Sequence, residues 1–277
     1  MQHWLIVTDL DGTLLDDTYA LGEAARVLDQ IQQLDQTIRV VLASSKTLSE
    51  MQLLADQVKQ PVFLIFENGS GVAWRDGSLV RGGQQMVDGY QVVKFASAYR
   101  QVCEVLELHR SLGYPFLGFS DMSDVEVAHR TGLTVPDAAR ARARLCSEPI
   151  VWHGHADLFN SFCASLGEYG LTVQSGGRFH HISSGSNKAA ALSYLTGQLR
   201  YEQGIQPMVL ACGDAPNDLE LLDKADLALV FPQRCGTYIR ELDSRVRHAP
   251  QAGPSYWFTA VEQILANTYP TYYAAAE

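Results

Sequence analysis

Short unbroken apolar runs alternate along the chain with stretches in which apolar residues recur every three or four positions. HWLIVT at 3–8 is a run of strand formers. After a Gly-containing turn, LGEAARVLDQIQQL places Leu21, Ala24, Ala25, Leu28 and Ile31 on one helical face. IRVVLAS repeats the strand pattern, Leu48, Met51, Leu54 and Val58 repeat the helical period, and PVFLIF is a third apolar run that ends at ENGSG. Alternation of this kind predicts an α/β fold with a parallel sheet covered by helices on both faces. In such sheets ligands bind beyond the carboxyl ends of the strands, which is where Asp9, Ser44 and Asn68 fall.

The regularity then changes. VAWRDGSLV reads as a hairpin around Asp76 and Gly77, and from about 83 to 180 helical segments mix with short strands such as PIVW and LTVQ. Beyond that stretch SNKAAALSYLTGQL is helical, MVLACGD is a strand ending in a carboxylate, and DLELLDKA and DLALVF resume the first pattern. The expected organisation is a Rossmann-like three-layer α/β/α core from 1–82 and 183–277, interrupted by an α/β domain at 83–182. TYYAAAE at the end reads as a frayed tail.

Composition narrows the partners. The 277 residues suffice for one large or two moderate domains, and at 47% hydrophobic they can fill a core. A formal net charge of −10 argues against nucleic acid or an anionic membrane as the main partner. An anionic substrate would need positive charge concentrated locally. The cysteines at 103, 146, 163, 212 and 235 are odd in number and lack a C-x-x-C pair, so they suggest reduced core residues, without a disulfide framework or zinc site. No basic segment precedes an apolar stretch, and no apolar run nears the roughly 20 residues of a membrane span, so a soluble cytoplasmic protein is expected.

The chemistry concentrates at strand ends. DLDGT at 9–13 delivers Asp9 and Asp11 together beside a core, where like charges repel unless a cation or a shared proton compensates. A carboxylate can attack phosphorus to give an acyl phosphate, while a second carboxyl protonates the leaving oxygen and later deprotonates water. GDAPND adds Asp214 and Asp218 at the end of a later strand, and Asp9 with Asp214 would form a hard oxygen site suited to Mg²⁺. The bland alternative is a strand-ending turn with helix-capping acids, which would have to occur twice in one chain. Lys188 opens a predicted helix, where a cation opposes the macrodipole by roughly 0.3–1 kcal/mol, and local rules are most often broken at sites. By itself it would be an exposed surface lysine. Ser44 and Ser45 can hold phosphate oxygens through hydroxyl and backbone N–H groups, although capping of the helix ahead of KTLSEM explains one of them equally well.

Assembled in order, DLDGT at 9–13, Ser44 after the second strand, Lys188, and GDAPND at 213–218 resemble the four motifs of the haloacid dehalogenase-like phosphohydrolases. SSKT at 44–47 with Glu50, ENG at 67–69 and GGRFHH at 176–181 are further similar to the mannosyl-3-phosphoglycerate phosphatases, with similarity running to about residue 265. The resemblance implies a nucleophile at Asp9, a general acid/base at Asp11, and phosphate contacts from Thr13, Ser44, Ser45, Lys188 and Asn217. It implies Mg²⁺ held by Asp9, the Asp11 carbonyl and Asp214, with Asn217 and Asp218 supporting metal and lysine. It also implies that 83–182 is a cap closing over a phosphorylated sugar. Cys212, just before the metal loop, departs from the pattern and reads as core packing.

Substrate choice is expected from the cap and from Lys46 and Asn68. A phosphoglycerate also carries a carboxylate, so a second cationic or hydrogen-bonding cluster is expected, with Arg178, His180 and His181 as candidates and Arg130 and Lys94 behind them. The two histidines read equally well as a strand burying one and exposing the other. Rival readings are a phosphoacceptor module, disfavoured by length and Asp11, an ion-pumping ATPase, which would need membrane spans, and a phosphosugar mutase, disfavoured by the large late insertion. Glucosyl-3-phosphoglycerate, sucrose phosphate or a general sugar phosphate remain alternative substrates at the same core.

Overall fold

The computed structural model describes residues 2–16, 20–75, 85–176, 179–185 and 187–268. In chain order the elements are β1 (Trp4–Thr8), α1 (Leu21–Leu34), β2 (Ile38–Ala43), α2 (Leu48–Ala55), β3 (Val62–Phe66), β4 (Gly71–Arg75), β5 (Gln85–Val87) and β6 (Tyr90–Lys94). There follow α3 (Tyr99–Ser111), β7 (Phe116–Gly118), α4 (Asp124–Thr131), α5 (Val135–Arg142), β8 (Glu148–Trp152), α6 (Ala156–Glu168), β9 (Thr172–Gly176) and β10 (Phe179–Ser183). The last are α7 (Lys188–Gln203), β11 (Met208–Gly213), α8 (Leu219–Lys224), β12 (Leu227–Val230), β13 (Val246–His248) and α9 (Pro254–Thr268). Contacts divide the chain into two compact units, Met1–Ala43 with Leu53–Phe63 and Leu199–Glu277, and Ser44–Gln52 with Leu64–Gln198.

In the first unit β13, β12, β11, β1 and β2 lie side by side in that order, and every pairing among them is parallel. All five residues of β1 are buried, as expected of a strand covered on both faces, whose sequence is then a continuous apolar run. Chain order reverses between β1 and β11, and Thr8 is level with Cys212 in the register, so Asp9 and Asp214 emerge at the same sheet end, at a switch point. Helix α1 buries Ala24, Ala25, Leu28 and Ile31, the predicted face. Helix α9 has no counterpart in the sequence reading, yet Trp257, Val261 and Leu265 are buried at four-residue spacing. The Trp257 indole N–H donates to Thr8 Oγ1 at 2.9 Å, which ties α9 to the end of β1. Helix α2 stops at Ala55; Val58, assigned to it by periodicity, is buried instead in a turn closed by its N–H donating to the Ala55 carbonyl at 3.3 Å.

In the second unit β4 runs antiparallel to the end of β3, β6 to β4, and β5 to β6. The expected hairpin tip at Asp76 and Gly77 lies outside the described residues. A hairpin not anticipated joins β5 to β6 through Asp88 and Gly89, whose φ values of 47° and 81° are those of the left-handed turn favoured between twisted strands. A separate antiparallel sheet, β7-β8-β10-β9, lies in the same unit. Its alternation feeds two cores. Phe116, Ile150 and Ile182 pack with Val102 and Leu106 of α3 and Phe162 and Leu166 of α6. Their neighbours Leu117, Val151 and Phe179 pack with Val127 of α4 and Ala138 and Ala141 of α5.

Candidate active site

Asp9 follows β1 directly and is 6% exposed; its backbone N–H continues the ladder to the Cys212 carbonyl at 2.9 Å. The chain then turns tightly, with the Gly12 N–H donating to the Leu15 carbonyl and the Leu15 N–H to that of Leu10. Gly12 has φ +84°, and a Cβ there would sit 2.6 Å from Oδ2 of Asp214, so backbone conformation and close approach both require glycine. The Thr13 hydroxyl donates to Asp214 Oδ1 at 3.1 Å. Asp218 is fully buried, and its Oδ2 accepts the N–H groups of Asp214 and Ala215 at 3.2 and 3.1 Å, which folds GDAPND back on itself. A Cβ at Gly213 would lie 2.6 Å from that of Asp218.

The outcome is that Asp9, Asp214 and Asp218 each bring a carboxylate oxygen within 4.8 Å of the others. Acids this close and this buried repel strongly, and an all-oxygen donor set of this kind fits a hard divalent cation such as Mg²⁺. The carboxylate of Asp11, the second acid of the motif, is half-buried and stands outside that trio, while Asn217 is half-buried in the turn that ends at Asp218.

Ser44, Ser45, Lys46, Asn68 and Lys188 belong to the second unit. Ser44 is 1% exposed, its N–H donates to Ile65, its carbonyl accepts from the Asn68 N–H at 2.9 Å, and its Oγ accepts from the Lys46 N–H at 3.2 Å. Neither serine caps the following helix. That role falls to Thr47, whose Oγ1 accepts the Glu50 N–H at 3.1 Å while Glu50 Oε2 accepts the Thr47 N–H at 2.9 Å, a reciprocal capping box. Lys188 is 1% exposed, which removes the reading as a surface lysine. Asn187 caps α7 by accepting the Ala190 N–H at 2.7 Å, so Lys188 opposes the dipole of a helix already capped. Lys46 is half-buried.

Among the substrate candidates, Arg178 lies outside the described residues. His180 and His181 are adjacent on β10 and both half-buried, so the strand does not bury one and expose the other. His180 faces the α3/α6 side, where its ring centroid is 4.4 Å from that of Phe159. His181 faces the other side, its Nδ1 enclosed without a hydrogen-bond partner. Burial, the Arg144 guanidinium and His180 hold its pKa down at about 3, so it is a neutral imidazole at ordinary pH. Arg130 is exposed at the end of α4, and Lys94 half-buried at the end of β6. Cys212 is fully buried, with its thiol pKa pushed up by burial, in keeping with core packing. Cys235 is exposed, against the expectation that every cysteine is internal.

Sequence reasoning missed Glu67 as an individual residue and Arg144 altogether, although both are buried ionisable groups bonded to the loops that carry Ser45 and Asn68. The only local signal was an acid directly before Asn-Gly at the end of an apolar strand.

Residues 6–103 match the family pattern of haloacid dehalogenase-like hydrolases. The chain is 28% identical over 270 residues to a glucosyl-3-phosphoglycerate/mannosyl-3-phosphoglycerate phosphatase of Methanococcoides burtonii, covering 96% of this chain and 98% of that one. Its fold is similar to a haloalkanoate-superfamily phosphatase of Bacteroides thetaiotaomicron, with a TM-score of 0.64, 18% identity and 95% of each chain covered. It is also similar to the sucrose-phosphatase of Synechocystis sp. PCC6803, with a TM-score of 0.56 and 16% identity, covering 95% of this chain and 98% of that one.

Proposed function

We propose that the chain, a phosphoric monoester hydrolase similar to the haloacid dehalogenase-like hydrolases, is a Mg²⁺-dependent phosphatase acting on a phosphorylated sugar or sugar-glycerate ester, foremost mannosyl-3-phosphoglycerate. The observation that carries the reading is the approach of Asp9, Asp214 and Asp218 to within 4.8 Å at the carboxyl ends of neighbouring parallel strands.

In this mechanism a carboxylate oxygen of Asp9 attacks phosphorus and displaces the ester oxygen of the leaving alcohol, the glycerate O3 in mannosyl-3-phosphoglycerate, which takes a proton from Asp11. Asp11 then removes a proton from water as that water attacks the acyl phosphate, regenerating Asp9 and releasing inorganic phosphate. Asp9, the Asp11 carbonyl and Asp214 would hold Mg²⁺, which when bound neutralises charge on the acids and the phosphoryl group. Thr13 fixes Asp214 through its hydroxyl, and Asp218 fixes the turn through two backbone N–H groups. The phosphate roles of Ser44, Ser45, Asn217 and Lys188 rest on motif order together with burial of Ser44 and Lys188.

Residues 83–182 serve in this reading as the cap that selects the leaving group, with Lys46, Asn68, Arg178, His180 and His181 as the substrate set. His181, held neutral, contributes a hydrogen bond and no charge. Cytoplasmic location belongs to the same proposal; no helix among the described residues is long and apolar enough to cross a membrane. The name of the Methanococcoides burtonii relative supports glycosyl-3-phosphoglycerates as the substrate class. Steady-state phosphate release from mannosyl- and glucosyl-3-phosphoglycerate, sucrose 6-phosphate and glucose 6-phosphate with Mg²⁺ tests it. A kcat/KM for mannosyl-3-phosphoglycerate no higher than for glucose 6-phosphate would replace it with a broad sugar phosphatase, and isomerised sugar phosphate without phosphate release would indicate a mutase.

A further inference from the structure

We propose that Glu67 is a positioning residue, which with Arg144 holds the loop of Ser44 and Ser45 in its binding geometry; the catalytic meaning of that loop rests on the phosphatase reading above. All the groups concerned lie within the second unit.

The carbonyls of three consecutive loop residues are each occupied. That of Ser44 accepts the Asn68 N–H at 2.9 Å, that of Ser45 accepts Arg144 Nη2 at 3.2 Å, and that of Lys46 accepts the Glu67 N–H at 2.9 Å. Two of these donors are backbone groups of a turn in which Glu67 and Asn68 have φ values of 49° and 58° and Gly69 follows at 93°. A glutamate in the left-handed region is disfavoured, so something outside the turn must hold it.

That restraint is the Glu67 side chain. Its Oε1 accepts the Leu145 N–H at 2.6 Å, and its Oε2 accepts the Cys146 and Ser147 N–H groups at 2.9 and 2.7 Å and the Ser147 hydroxyl at 2.7 Å. Arg144 Nε lies 3.7 Å from Oε2, and the two side chains are 3% and 0% exposed. The same guanidinium donates to the Ser147 hydroxyl and carbonyl. A carboxylate that accepts several N–H bonds beside a guanidinium is held in one orientation by all of them. The turn also abuts α7, since a Cβ on Gly69 would lie 2.1 Å from the Asn187 carbonyl carbon and 2.6 Å from the Lys188 nitrogen. One buried acid thus fixes a turn that touches both the serine loop and the start of the lysine helix.

The test is Glu67→Gln, which keeps shape but places an NH₂ against N–H donors, with Arg144→Lys as a second variant that keeps the charge but loses the guanidinium fork. Inorganic phosphate inhibition, kcat/KM and amide hydrogen exchange of residues 44–47 are measured in each folded variant. Expected are phosphate affinity weakened about tenfold and kcat/KM lowered about 10- to 100-fold, the scale of a slight misplacement of binding groups. Exchange at 44–47 should quicken, while Mg²⁺ affinity, set by acids of the other unit, stays as in wild type. Unchanged phosphate affinity and unchanged exchange at 44–47 in either folded variant overturn the assignment. A wild type that neither binds nor releases phosphate overturns the phosphatase reading instead, and the exchange comparison still decides whether Glu67 holds the loop.

Discussion

Gly12 is the residue at which backbone conformation and site geometry meet. Gly12→Ala would have to relieve a 2.6 Å contact with Asp214 Oδ2 at a φ of +84°. We expect a loss of about 1–3 kcal/mol in urea unfolding, together with weaker Mg²⁺ binding, because the displaced atom belongs to the acidic trio. Asp9→Asn should lower kcat at least about a thousandfold while circular dichroism stays native. Without metal, the same variant should melt no lower than wild type, since it removes one of three mutually repelling carboxylates. At His181 the folded-state pKa lies below the ordinary histidine value, so the folded state resists protonation that the unfolded chain accepts. Its stabilising effect is therefore complete above about pH 6.5 and is lost as pH falls toward the folded value, at up to about 1.4 kcal/mol per pH unit. Urea unfolding between pH 7 and 4 should show a shallower acid loss in His181→Gln than in wild type. The placement of Asp9 and Asp214 at strand ends was legible from residue type and position alone, whereas Lys188 drew notice only beside the other motifs. The environment of His181 was not legible, because Arg144 is brought to it by folding and not by sequence proximity.

At the scale of elements, the short segment between β2 and α2 divides its labour. Thr47 and Glu50 cap the helix, and Ser44 and Ser45 are left for other work. Thr47→Ala should cost about 1 kcal/mol, read as a lower urea midpoint at unchanged slope. The sequence offered either serine as the cap, since capping preference alone does not distinguish Ser from Thr two or three positions on. The reciprocal Glu50 bond decides it. Strand β1 was readable as an unbroken run of strand formers, buried on both faces, and helix α1 because Ala24, Ala25, Leu28 and Ile31 recur on one face. The β5–β6 hairpin was not, because the Asp-Gly pairs at 76–77 and 88–89 carry the same turn signal in the sequence, and only strand pairing identifies the second as the link between β5 and β6. Strand β13, three residues long, is too short for any period to register.

For the whole molecule, a net charge of −10 must be reconciled with the anionic substrate proposed above, and that reading assigns the task to a divalent cation at the acidic trio and to the buried Lys188. Chelation should abolish phosphate release, and Mg²⁺ should restore it. At 100 times its dissociation constant Mg²⁺ should stabilise the fold by about 2.7 kcal/mol, seen as a rise of several degrees in Tm that Asp214→Asn loses. The amino-acid sequence by itself determined the α/β class, the strand ends that carry acids, and which acids and cations are out of place unless phosphate chemistry uses them. Those are local facts, set by apolar period and by the cost of charge beside a core. Only the tertiary structure decided that Asp218 joins Asp9 and Asp214, that Thr47 and not a serine caps α2, and that Glu67 and Arg144 restrain the serine loop. The acidic trio depends on parallel register and the loop restraint on buried polar bonds between residues distant in sequence, neither of which leaves a periodic trace in the chain, while the cap is a local Thr47–Glu50 pair that residue preference alone does not select over the serines.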